Sequence, residues 1–329
     1  MGFIALQQSI QKIILIRMKK ILLSSLSFFL TFIISCSPQT QETPTKGKIK
    51  IIVSESLSPM MKNQVEKFSQ LYTESSISMD SAFDRNAIVD FINDSTNIIV
   101  TSRQLNQEEH TVLTKYNIGF QEDTVAFDAI AFIVNNENTT SQIRTTQLDS
   151  IFSGTVTSWK SVNSSVPLLN ILLALPNQNS GNYEYLSSKL LGGKRFKHPD
   201  FLAQSTAEIM SFVSKNSNAI GFIGCTWKSK LDSNIKILEL QNPNLADSSE
   251  EISEKFYPPL QYYIWNNSYP FVKPVYIYSR NIGNGVGMGF ISFLLSSHPG
   301  EGQKIVGDFG LVPAHMPIRI VQTQKTNIH

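Results

Sequence analysis

The sequence predicts an α/β fold with mainly parallel sheets. Three observations carry that prediction. Short apolar runs of strand length alternate with segments whose apolar residues recur at helical spacing. Twice, an apolar run passes through a small hydroxyl-bearing turn straight into a helical pattern, at 48–72 and at 166–190. The chain has 329 residues, enough for two domains of ordinary size.

The N-terminus stands apart. Met18-Lys19-Lys20 is a basic start, Ile21 to Ile34 is an apolar run, and Ser35-Cys36 follows. A basic segment, a short apolar segment and a small residue make a secretory signal. Residues 1–35 are therefore read as a signal peptide, with Met18 as the true start. Fourteen apolar-rich residues fall short of the about 20 that a membrane-spanning helix needs. Ile33-Ile34-Ser35-Cys36 resembles the bacterial lipoprotein signal, which implies cleavage before Cys36 and lipidation of that residue. Residues 36–47 are polar, with Pro38 and Pro44, and read as a flexible tether.

From Cys36 onward the chain has 24 basic and 26 acidic residues. A nearly neutral mature protein offers no global argument for binding nucleic acid or an anionic membrane surface.

Lys48 to Val53 is the first predicted strand. Ser54-Glu55-Ser56-Leu57-Ser58-Pro59 is a hydroxyl-rich turn, and Met60 to Tyr72 is helical, with Met61, Val65 and Phe68 on one face. Ile77 to Met79 is a short strand. The polar loop Asp80-Ser81-Ala82-Phe83-Asp84-Arg85-Asn86 leads to a helix at 87–93. A strand at 97–100 ends in Thr101-Ser102-Arg103-Gln104-Leu105, and 107–116 is a helix with an acidic start. Thr124 to Val134 is a long apolar strand broken by Asp128.

Val166 to Leu175 reads as a buried strand that enters Pro176-Asn177-Gln178-Asn179-Ser180-Gly181-Asn182. A helix with Tyr183, Leu186 and Leu190 follows and stops at Gly192-Gly193. A helix N-terminus with free N–H groups favours an anion. Ser180 adds a hydroxyl, and Gly181 lets backbone come close. Asn-Ser-Gly is equally an ordinary helix cap. Thr206 to Lys215 is a further helix. Ala219 to Cys225 is a strand in which Cys225 is expected as a buried free thiol. Tyr269 to Tyr278 is a second long extended stretch, and 287–296 and 302–310 are helical. A polar tail closes the chain at 315–329.

These landmarks, in this order, resemble the phosphate-binding lipoproteins of bacterial phosphate ABC importers, a branch of the type II periplasmic binding proteins. The residues that carry the resemblance are the turn before Pro59, Ser102-Arg103-Gln104-Leu105, Asp128 to Asn135, and Ile151-Phe152-Ser153-Gly154 with Trp159. They continue with Asn179-Ser180-Gly181, Ala219-Ile220-Gly221-Phe222, Tyr269-Pro270 and Gly302 to Val306. The resemblance implies two α/β lobes joined by two crossover strands, with the ligand cleft between them. It places 48–128 and 275–314 in the first lobe and 129–274 in the second.

It also implies capture of inorganic phosphate or a similar oxyanion and delivery to an ABC permease. The protein would be a monomer held outside the cytoplasm by lipid on Cys36. The implied anion contacts are Ser56, Leu57, Ser81, Ser102, Asn179, Ser180, Gly181 and Asn182.

The chain departs from the family pattern at three places. The family's Arg four residues before the Ser-Gly serine is Pro176 here. Its Gly-Ser-Gly loop is Asp80 to Arg85. The Asp that accepts the proton of phosphate in many members is Arg103. Arg103 or Arg85 is the expected replacement guanidinium, a planar fork that suits an oxyanion. Glu55 is the expected proton acceptor, a group of the kind that separates phosphate from sulfate. Against these stand ordinary roles: Glu55 as a carboxylate near a helix start, and Arg103 paired with Glu108 or Glu109.

The alternative function is a sensor or adhesion protein that keeps the fold. A hydrolase using Ser180 lacks support, because no histidine lies in a catalytic signature and no Gly-x-Ser-x-Gly elbow is present. No cofactor and no metal-ligand spacing is read from the sequence.

Overall fold

The computed structural model describes residues 17–20, 42–165, 169–245, 255–298 and 301–316. The chain forms two compact units, Met1–Gln41 and Glu42–His329. In the first, residues 17–20 are helical; the rest of the predicted signal, and Cys36, lie outside the described residues. No described helix is long and apolar enough to cross a membrane.

The second unit is built on thirteen strands among the described residues. They are β1 (Gly47–Ser54), β2 (Ser75–Ala82), β3 (Ile98–Thr101), β4 (Gln121–Asn135), β5 (Gln142–Arg144), β6 (Leu172–Pro176) and β7 (Phe201–Ala203), followed by β8 (Ala219–Gly224), β9 (Ile235–Ile237), β10 (Glu239–Gln241), β11 (Phe256–Tyr257), β12 (Val272–Ser279) and β13 (Val312–Pro313). The main sheet runs β2-β1-β3-β12-β4-β8-β6-β7, and β5, β10 and β11 form a small second sheet.

The long strand β4 is shared by two halves of this sheet. Residues 121–129 pair antiparallel with β12, and residues 130–134 pair antiparallel with β8. On one side β1 lies parallel between β2 and β3. On the other, β6 lies parallel between β7 and β8. The result is the expected mixed α/β fold of two lobes, with β4 and β12 passing between them. Strands covered on both faces need continuous apolar runs. Ile51, Ile52 and Val53 in β1 and Ile130 to Val134 in β4 supply them, all buried.

Helices close each lobe. Ser58–Leu71 buries Met60, Met61 and Phe68. Phe68 meets Phe290 and Phe293 of the helix Val286–Leu295 edge-on, at centroid distances of 5.4 and 5.5 Å. Thr206–Lys215 buries Ile209, Met210 and Val213 over the second lobe. Each ring or branched side chain fixed this way stabilises its lobe by about 1.5–3 kcal/mol of burial.

Three expectations change. The end of the predicted tether is folded: Thr43 and Lys46 exchange backbone hydrogen bonds in a tight turn, and Lys46 pairs with Glu74 at 2.6 Å. The strand predicted from Val166 is found over Leu172–Pro176; ahead of it Asn170 bridges back to Ser158, and 166–168 lie outside the described residues. The short strand at 77–79 extends to Ser75–Ala82, since all eight residues of β1 find partners in it. Cys225 is a buried free cysteine, as expected. Burial pushes its thiol up to about 12, which keeps it protonated and unreactive.

Candidate functional site

Four chain reversals meet between the lobes, at the C-terminal ends of β1, β2, β3 and β6. This is where open α/β sheets bind ligands. From the first lobe come the turn Glu55–Leu57, the start of the helix Asp84–Ile92, and Ser102-Arg103. From the second comes the N-terminus of the helix Gly181–Leu191. Local chemistry explains the reversals. Pro59 occupies the first turn of the helix Ser58–Leu71, where its missing N–H costs nothing. Ser180, in extended conformation, starts the Gly181 helix, and Gly192 ends it at φ 61.

The centre of this arrangement is the carboxylate of Asp84, which is buried. Its Oδ2 accepts from the Gly181 amide at 2.7 Å and from Ser54 Oγ at 2.8 Å. Its Oδ1 accepts from the Ser102 amide at 2.6 Å. Two backbone N–H groups and a hydroxyl, drawn from both lobes, therefore point into one small anion slot. The second lobe's contribution is a helix N-terminus, where a negative group gains roughly 0.3–1 kcal/mol beyond its hydrogen bonds. The fit is tight. A Cβ added at Gly181 would lie 2.8 Å from Asp84 Cγ and closer still to Ser102 Oγ.

Around the slot the sequence-predicted residues fall into distinct places. Ser102, Ser180, Gly181 and Asn182 are buried at it. The Ser180 hydroxyl makes no capping bond, so the ordinary local cap is not what the structure uses; Asp84 from the other lobe does that work. Ser102 Oγ and Asn182 Oδ1 are buried without a hydrogen-bond partner. Ser56 and Leu57 are buried in the first turn. Ser56 Oγ bonds Ser54 Oγ at 3.0 Å, and its carbonyl accepts from Thr226 Oγ1. Ser81 is drawn away, its Oγ paired with Ser58 Oγ at 2.8 Å on an exposed edge. Asn179 reaches across the lobes, donating from Nδ2 to Asn86 Oδ1 and accepting at its carbonyl from the Arg85 amide.

The charged candidates are placed differently from the expectation. Arg103 does not face the slot as a free clamp. Nη1 and Nη2 donate to the two oxygens of Glu109, each at 2.8 Å, and Nε lies 2.7 Å from Glu184 Oε2 of the second lobe. A two-pronged fork matched to a carboxylate is a strong pairing, and it spends the guanidinium. The ion pair with Glu109 that stood as the ordinary role is what forms. Arg85 is exposed, and its charge reaches Glu109 and Glu184.

Glu55 is not open to a ligand proton either. Its Oε1 accepts from the Thr206 amide at 2.8 Å and its Oε2 from Thr206 Oγ1 at 2.7 Å. It thus caps a second-lobe helix. Burial raises its carboxyl above the ordinary value, against the pull of the two Thr206 bonds.

The floor is a buried ion pair on the two strands that join the lobes. Lys273 on β12 stands directly across from Asp128 on β4. Its Nζ donates to the Ser102 carbonyl at 3.0 Å and lies 3.7 Å from Asp128 Oδ2. Asp128 Oδ1 accepts from the Ala129 and Cys225 amides. Burial raises the Asp128 carboxyl, and Lys273 opposes that. Among the described residues no group of His, Cys, Asp and Glu could hold a metal ion.

A two-lobed α/β chain with helix N-termini and hydroxyls converging on an anion is the architecture of binding proteins. Residues 38–298 match the family model described as a PBP superfamily domain. The chain belongs to the PBP superfamily. Among its relatives in this family, the phosphate-binding protein PstS of Staphylococcus aureus (strain bovine RF122 / ET3-1) is 28% identical over 257 residues, covering 76% of this chain and 74% of that one. That of Staphylococcus epidermidis is 27% identical over 265 residues, covering 78% and 76%.

Solved structures share the fold. A Clostridium perfringens substrate-binding protein of the phosphate ABC transporter type, with bound phosphate, superposes with a TM-score of 0.67 at 22% identity, over 81% of this chain and 99% of that one. An ABC-type phosphate transport receptor from Vibrio cholerae gives a TM-score of 0.58 at 21% identity, over 81% and 100%.

Sequence reasoning missed Asp84, Lys273, Thr206 and Glu184. Asp84 stood in a loop already singled out, between Ser81 and Arg85. Its signal was a carboxylate at the first position of a helix, which also describes an ordinary surface residue.

Proposed function

We propose that this PBP-superfamily chain is an extracytoplasmic receptor that captures inorganic phosphate, or an oxyanion of the same shape, and hands it to an ABC permease. The observation that carries the reading is the convergence of the Gly181 amide, the Ser102 amide and Ser54 Oγ on one buried carboxylate. Donors from both lobes that hold two anionic oxygens are what an oxyanion receptor needs at closure. The names of the staphylococcal relatives support phosphate as the ligand. The anion contacts are Ser54, Ser56, Leu57, Ser102, Ser180, Gly181 and Asn182. Lipid on Cys36 holds the chain at the membrane as a monomer. Closure follows bending of β4 and β12, the strands common to both lobes.

A second reading, a sensor or adhesion role, is favoured by one observation: the donors of the slot are already spent on Asp84, and Arg103 on Glu109 and Glu184.

Calorimetric titration of the full chain in detergent, with phosphate and sulfate in parallel, separates the readings. Phosphate binding at micromolar or tighter levels without a sulfate response supports the receptor. No heat with either anion, in folded protein, rejects it and leaves the second reading.

A further inference from the structure

The slot that should receive an anion already contains one. All three donors around it bond the carboxylate of Asp84, and the two buried cations nearby are engaged: Arg103 is held by Glu109 and Glu184, and Lys273 faces Asp128. Asp84 comes from the first lobe, and Gly181 from the second. The bonds from Ser54 and Ser102 lie within the first lobe, and the bond from the Gly181 amide forms only when the cleft is closed. The clasp is repeated on either side. Glu55 bonds Thr206, and the Arg85 amide bonds the Asn179 carbonyl, both across the lobes. A cleft closed by its own side chains over a filled slot has no need of a ligand to close.

We propose that Asp84 is the resident anion of the cleft and the residue that sets what the cleft accepts. An incoming oxyanion binds only by displacing the Asp84 carboxylate from the Gly181 and Ser102 amides. Deepening the oxyanion reading, this makes Asp84 a competitor covalently attached to the site. The apparent affinity for a free anion is then reduced by the fraction of molecules in which the slot is vacant. Asp84 also lies where its charge acts on Glu55 and Glu184. Their like charges oppose a dianion, so the slot discriminates against highly charged ligands and in favour of protonated ones. Ser102 Oγ and Asn182 Oδ1, buried and unbonded at the same place, are groups such a ligand would engage once Asp84 has moved.

The test uses the full chain in detergent, as wild type, Asp84→Ala and Asp84→Asn. Amide hydrogen exchange is followed over 102–105 and 177–186 without ligand, and inorganic phosphate is titrated calorimetrically. Wild type is expected to protect both segments without phosphate. Asp84→Ala is expected to lose that protection and to bind phosphate at least about tenfold more tightly. Asp84→Asn keeps the side chain's shape but turns an N–H₂ toward a backbone N–H. It should behave as Asp84→Ala does, which guards against an alanine variant that merely misfolds.

An unprotected wild type overturns the proposal. So does weaker phosphate binding in both variants, which would place Asp84 among the ligand's own contacts. If wild type is protected, the variants are not, and none of them binds phosphate, the resident anion stands and the phosphate reading falls.

Discussion

Two helix N-termini in this protein are capped in opposite ways. The helix Gln107–Lys115 is capped by its neighbours: Asn106 Oδ1 accepts from the Glu109 amide at 2.9 Å, and Glu109 Oε2 accepts from the Asn106 amide at 2.8 Å. This reciprocal box satisfies two orphan donors within four residues. The helix Gly181–Leu191 has a serine in the capping position that makes no such bond, and its first amide is satisfied by Asp84, from the other lobe. The first cap survives any motion of the lobes. The second exists only while they are closed. A borrowed cap is a conformational contact, and its energy is available to hold or release the cleft. The helix Thr206–Lys215 has both kinds, Ser205 locally and Glu55 from the first lobe.

Substitutions can break this contrast, and the largest effect is expected where a borrowed contact is ionic and fully buried. Lys273→Met strands Asp128 in the floor and loosens the Ser102 carbonyl; it should cost about 3–5 kcal/mol in denaturant unfolding. A loss below about 1 kcal/mol would mean that the pair is solvated and the floor is open.

Arg103→Gln comes next. It removes the fork from Glu109 and the contact with Glu184, at about 2 kcal/mol of stability. If Arg103 is bound up as the geometry has it, phosphate affinity moves by less than about tenfold, a shift under 1.4 kcal/mol. A larger loss with unchanged stability would return Arg103 to the role of anion clamp.

Glu55→Gln sharpens the comparison through pH. The folded carboxyl titrates above its ordinary 4.5, so the native state holds the proton better than the unfolded chain. Its stabilising contribution is complete below about pH 4.5 and is lost as pH rises through the raised value. Glutamine has no such loss. Wild type and variant should differ by about 1 kcal/mol or less, with the difference moving in the variant's favour from pH 4 to pH 7. Thermal melts at both pH values would show it, and movement the other way would contradict the burial.

The smallest change is expected at the local cap. Asn106→Ala should cost about 1 kcal/mol and leave phosphate titrations unchanged, because nothing about that cap depends on closure.

The same contrast explains what was legible in the sequence. Strand–helix alternation, Pro59 at a helix start and Gly192 at a helix end are local signals, and each appears where its spacing predicts. The slot's donors were legible too: Ser180-Gly181 and Ser102 follow strands directly. The contacts that define the slot's state were not. Asp84 meets a residue 97 positions away, and Glu55 meets one 151 away. Their side chains carry no periodicity that names a distant partner. The Lys273–Asp128 pair depends on the register of two antiparallel strands, and a slip of one residue would turn both side chains to other faces. For Arg103 the sequence leaves two roles open, a ligand clamp that the resemblance implies and an ion pair with Glu108 or Glu109, and the second is what forms. Glu109, which takes it, was visible six residues on.

The closeness of Gly181 to Asp84 and Ser102 has a practical consequence. The facing walls of the cleft approach to within the width of one hydrogen atom on that α-carbon, so a single methyl group there is a doorstop. Gly181→Ala, with an otherwise untouched slot, would prop the jaws ajar and, on the receptor reading proposed above, withhold the shut form from a permease. Such a jammed receptor, expressed beside the normal one, would show whether the shut shape or the cargo is the message that the membrane partner reads.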